Sequence, residues 1–118
     1  MITEKSEITK ELISLVENVL ETYAAKEKTI QYNQIEKEIR ETTDWRLWQD
    51  ILDPIYKKSW DRDHFDLSLI VISKETGRPP YFSQGKEARS VPFNPKKHDK
   101  EWVKQLQLIF STWKARKK

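Results

Sequence analysis

At 118 residues the chain has the length of a single domain, residues 1–118, ending in a basic tail at 114–118. Hydrophobic residues make up 36% and charged residues 35%, a balance that would spell disorder without aromatics, but five Trp, four Tyr and four Phe supply the area of a small core. Cysteine is absent, which excludes disulfides, thiolate nucleophiles and Cys-ligated zinc, and the net charge of +3 hides a division: residues 1–66 hold 10 Lys/Arg against 15 Asp/Glu, residues 67–118 hold 12 against 4.

The first residues, Met1-Ile2-Thr3-Glu4, lack a basic region followed by an apolar run, and no stretch reaches the ~20 apolar residues of a membrane span. A cytoplasmic protein with no membrane partner is expected, frayed only at its two ends.

Over residues 8–24 the apolar positions Ile8, Leu12, Leu15, Val16, Val19, Leu20, Tyr23 and Ala24 recur in steps of three and four, one stripe of a helix. Glu4, Glu7 and Glu11 near its start suit the helix dipole. Thr29-Ile30-Gln31-Tyr32 alternates and reads as a short strand. Asn33, with Glu36 three residues on, reads as the N-cap of a short helix over 34–41.

Asp44 is placed to cap the next helix, whose apolar side is Trp45, Trp48, Ile51, Leu52 and Ile55. Asp53-Pro54 suits an N-cap and first helical position, so a kink or two abutting helices are expected near 52–54. Residues 66–73 form the one strongly β-like run, with Leu67, Leu69 and Val71 on one face and Ile70 and Ile72 on the other. A strand apolar on both faces needs cover on both sides.

Gly77 and Pro79-Pro80 then mark a turn, after which Tyr81-Phe82 is expected to return antiparallel to that strand. Val91-Pro92-Phe93 reads as an anchor, Asn94-Pro95 as a turn, and Asp99 as the cap of a last helix with the stripe Trp102, Val103, Leu106, Ile109, Phe110 and Trp113. The expected fold class is α+β: a mostly helical, winged-helix-like domain with a small antiparallel sheet.

The segment 29–35, the helix pair after it, and Ile70-Val71-Ile72 with its glycine turn together resemble the winged-helix DNA-binding half of the alkyltransferase-like proteins. That family's active-site stretch has a Pro-Cys-His-Arg core. The corresponding region here is Val71-Ile72-Ser73-Lys74, so alkyl transfer is excluded. Residues 69–80 also resemble a small domain of uncharacterised bacterial proteins. The resemblance implies DNA binding without catalysis.

Charge points the same way. Lys74, Arg78, Lys86, Arg89, Lys96 and Lys97 fall in one region opposed by Glu75 and Glu87, and cations on a hairpin or loop suit phosphate contacts. Tyr81 and Phe82 lie among them, where aromatics can stack on bases or pack in the core. Arg46 occupies the helix that a winged helix would place in the major groove, but residues 44–58 carry three positive and three negative side chains, and Trp45 and Trp48 there read as packing. The tail reads as a dipole complement at a helix end.

Asp61, Asp63, His64 and Asp66 contain metal-ligand residue types without the spacing of a calcium or zinc site and read as a polar turn. No cofactor, metal or catalytic motif is expected. The sequence therefore points to a small non-enzymatic nucleic-acid-binding module, with DNA the expected partner. The alternative is a protein-interaction regulator or self-associating adaptor, homodimeric or bound to an anionic protein surface. Its acidic and basic halves would steer partners and exposed tryptophans would anchor them.

Overall fold

The computed structural model describes residues 1–82 and 91–116. Four helices dominate: α1 (Lys10–Ala25), α2 (Tyr32–Ile39), α3 (Trp48–Asp63) and α4 (Pro95–Arg116). Four two-residue strands accompany them: β1 (Ile30–Gln31), β2 (Val71–Ile72), β3 (Tyr81–Phe82) and β4 (Val91–Pro92). β1 and β2 pair parallel, Ile30 with Val71, and β3 and β4 pair antiparallel, Tyr81 with Pro92. The α+β class and the small antiparallel sheet are as expected. No helix among the described residues is long and apolar enough to cross a membrane.

The β-like run at 66–73 is the centre of the molecule, but it is mostly not a strand. Leu67–Ile70 is a 3-10 helix and only Val71–Ile72 is extended. Asp66 decides this: its side chain accepts from Ser68 N at 2.9 Å, and its carbonyl accepts from Leu69 N at 3.1 Å. Local capping overrides β propensity. The expected cover is present all the same, since the turn packs against α1, α3 and α4 and leaves Leu67, Leu69, Ile70 and Val71 at most 2% exposed.

α1 presents Leu12, Val16, Leu20 and Ala24 to this centre and lies against α4. Thr9 caps it by accepting from Leu12 N. α2 starts two residues earlier than expected. Its capping box is Gln31 with Gln34, whose Oε1 accepts from Gln31 N at 2.8 Å. Glu36 instead accepts from Thr43 N at 2.7 Å, tying down the link to α3.

Of the kink or two abutting helices expected near Pro54, the second does not occur: α3 is one helix over Trp48–Asp63. Pro54 lies on the exposed face, where the Asp50 carbonyl left without a helical donor can meet solvent. Asp53 does not cap but accepts from Gln49 Nε2.

β3 pairs with β4 rather than returning to β2, a second departure. Ser73 N donates to Arg78 O to close the turn, and Pro79 and Pro80 carry no N–H with which to continue a ladder. Asn94, not Asp99, caps α4. Its Oδ1 accepts from Lys96 N while its own N–H donates to His98 Nδ1, and Pro95 occupies the first helical position. Within α4 Ile109 and Trp113 are buried, whereas Val103 is exposed. The N-terminus is not frayed at Ile2, which bridges Thr43 in parallel and is buried.

Candidate functional site

A groove of about 610 Å³ runs between the start of α2, the turn before α3, and the connection from β2 to β3. Tyr32 and Trp48, the first residues of α2 and α3, form its floor, their rings edge-to-face with centroids 5.2 Å apart. Trp45 and Arg46 line one side, and Lys74 and Tyr81 also line it, from the β2–β3 connection and from β3. Trp45 is 80% exposed and Tyr81 47%. Large aromatics at that exposure on a concave surface are unsatisfied apolar area in search of a partner.

A small recess of about 20 Å³ adjoins the groove and shares Tyr32, Gln49, Pro80 and Tyr81 with it. Asp66 lines the recess and is only 5% exposed. Its Oδ1 accepts from Ser68 N and, at 2.6 Å, from Ser68 Oγ. Oδ2 accepts no hydrogen bond from the described residues. Burial pushes the Asp66 carboxyl up to about 6, against the pull of Ser68 in the other direction. Burial, followed by the nearby Tyr81 and Asp66, pushes the Tyr32 hydroxyl up to about 12. Tyr32, Gln49, Tyr56, Asp66, Ser68 and Tyr81 all bring side-chain oxygens to the lining of the recess.

The candidate cations divide. Arg46 donates through Nε and Nη2 to the two oxygens of Asp44, and its main chain completes the cap. The Asp44 carboxyl is held down at about 2 by those bonds. Arg78 forks onto Asp99 at 2.8 and 3.0 Å, tying the 73–78 turn to the first turns of α4. The planar guanidinium matches a carboxylate in both cases. Lys74, Lys96 and Lys97 are exposed and form no ion pair among the described residues. Lys86 and Arg89 lie outside the described residues.

The aromatics divide as well. Phe82 is 1% exposed and stacks on His98 at 4.8 Å, with Phe93 edge-on to both, so it belongs to the core while its neighbour Tyr81 faces the groove. Trp48 packs as expected, but Trp45 does not. Trp45 sits in the 3-10 turn Trp45–Leu47, ahead of α3 and outside its periodicity. Trp113 is buried under Arg62 and Arg116, whose guanidinium carbons lie 5.1 and 4.8 Å from its ring, and Trp60 is half-buried. The tryptophans do not form one exposed anchor patch.

The acidic turn does not converge. Asp63 pairs with Arg62 and Arg116, His64 ends α3 in a left-handed conformation at φ 61°, and Asp66 points into the recess wall. Among the described residues no group of three or more His, Asp or Glu is placed to hold a metal ion.

Trp45 and Tyr32 are the groove residues that sequence patterning misassigned, to packing and to a strand, whereas Asp66, in the adjoining recess, caps backbone at Ser68 N as a polar-turn residue should. Only one signal was available for them: a tryptophan directly after a capping aspartate stands before the helical stripe and need not share its face. Comparison with known proteins finds no family model, no curated protein and no solved structure that matches this chain.

Proposed function

We propose that this domain is a small, non-enzymatic nucleic-acid-binding module, winged-helix-like in its element order, that takes a single-stranded segment along the Trp45–Tyr81 groove. The observation that carries the reading is Trp45, 80% exposed on a groove that Tyr81 and Lys74 also line, with Glu36 and Glu75 among the other lining residues. Bases stack on such platforms irrespective of sequence, while lysines neutralise the strand's phosphates.

Charge supports an anionic strand over a neutral or basic peptide: residues 67–118 hold 12 Lys/Arg against 4 Asp/Glu. The order helix, strand, helix, helix, strand, hairpin, helix supports the winged-helix reading. A duplex read by α3 is less well supported, because residues 44–58 are charge-balanced and Arg46 is already bound to Asp44.

The test is fluorescence anisotropy of a labelled single-stranded oligonucleotide against a matched duplex across about 50 to 200 mM salt. Phosphate contacts from Lys74, Lys96 and Lys97 give a log–log slope of about −2 for the single strand, and Lys74→Ala flattens it by about 0.7. Absence of single-strand binding at the lowest salt, or preferred binding of an arginine-rich peptide, would overturn the reading.

A further inference from the structure

Stacking alone does not distinguish bases, yet the groove adjoins a polar recess that a featureless platform would lack. At about 20 Å³ the recess is too small for a ring, but it has room for one group the size of a water molecule. Asp66 lines it with a carboxylate of which Oδ1 alone accepts from described residues, leaving Oδ2 as the available acceptor, and the hydroxyl-bearing Tyr32, Tyr56 and Tyr81 line it too. Oδ1 is fixed by both donors of Ser68, so the carboxylate is oriented before any ligand arrives.

We infer that this recess is the base-discriminating subsite of the groove: a base stacked against Trp45 or Tyr81 inserts its exocyclic amino group, and Asp66 Oδ2 accepts from it. The inference rests on the proposed single-strand reading and adds a specificity to it. Adenine, cytosine and guanine carry such an amino group. Thymine instead presents carbonyl oxygens on either side of its single ring N–H, which a buried carboxylate repels. Size and charge act together here. The ring stays in the groove because the recess cannot admit it, and only an edge bearing a donor is tolerated against an anion so poorly solvated.

The test compares two otherwise identical short single strands on the full chain at pH above 7. One has adenine at its central positions, and the other has unsubstituted purine, which keeps the ring system and lacks the amino group. Wild-type protein should bind the adenine strand about tenfold more tightly, the size expected of one hydrogen bond to a charged acceptor. An oligothymidine strand should also be about tenfold weaker than adenine. In Asp66→Asn, whose amide oxygen can still accept from Ser68, the adenine-to-purine ratio should fall to within about twofold. Tyr32→Phe keeps Asp66 and the stacking face and should retain at least part of the ratio.

Equal binding of adenine and purine strands by the wild type would overturn the subsite while leaving the groove reading intact. That is the result expected if an ordered water holds the recess against all ligands. A preference unchanged in Asp66→Asn would also overturn it. Failure of every strand to bind would overturn the groove reading and the subsite together. The wild-type comparison decides the matter even if the variant does not fold.

Discussion

Replacing Asp66 by Asn isolates the electrostatic consequence of burying a carboxyl beside the groove. The Asp66 carboxyl is pushed up to about 6 from an ordinary 3.8, mainly by burial. A raised acid binds its proton more tightly in the folded chain than in the unfolded one. Between pH 4 and 6 the folded state therefore carries the extra proton, and stability falls as pH rises through this window. Two pH units correspond to about 3 kcal/mol of stability present at pH 4 and absent at pH 8. Asn cannot ionise and keeps an oxygen to accept from Ser68 N, so its stability should lack this component. The difference in unfolding free energy between Asp66→Asn and wild type should accordingly shift by about 3 kcal/mol in the variant's favour from pH 4 to pH 8. Urea unfolding followed by tryptophan fluorescence at both pH values measures it, and the double difference cancels every other titrating group. A difference that stays constant within about 0.5 kcal/mol would refute the burial argument.

Trp45→Ala should leave the unfolding midpoint within about 0.5 kcal/mol of wild type, since little of the ring is buried, yet weaken single-strand binding roughly tenfold. A large stability loss in that variant would mean that the ring packs. Pro54→Ala restores the missing N–H in an uninterrupted helix and should stabilise the fold by about 1 to 3 kcal/mol in urea unfolding, less any loss of unfolded-state rigidity. Ile109→Ala removes a fully buried side chain where α4 meets the core and should cost about 2 to 5 kcal/mol by the same measurement. The Asp63 carboxyl is held below its ordinary value first by Arg116 and then by Arg62. Its contribution is therefore present above pH 4 and lost as pH falls below that. Asp63→Asn should flatten this acid limb of the stability curve, which a pH series of thermal melts reads directly.

Helix α1 was readable because its stripe is long, with a spacing that admits no other period. The apolar side of α4 was readable at Ile109 and Trp113, though its cap and Val103 were not. Residues 66–73 show where patterning stops. Their composition correctly marked a segment covered on all sides, but a run of buried apolar residues has no period, and two hydrogen bonds to the Asp66 side chain were enough to make most of it a 3-10 turn. At Pro54 the proline does not end the helix, which is anchored through its buried face, Ile51, Leu52 and Ile55.

The sequence by itself determined the helices with strong periodicity, the aromatic-rich core, and the concentration of positive charge in residues 67–118, because these depend on composition and on neighbours a turn apart. Which cations remain available was decided only in three dimensions: Arg78 meets Asp99 across 21 positions, whereas Lys74, four residues earlier, forms no ion pair among the described residues and only acts at a distance on Glu75. The groove arose the same way. Tyr32, Trp48 and Tyr81 come from three separate elements, and no spacing along a chain encodes the placing of one aromatic against another when tertiary packing alone brings them together.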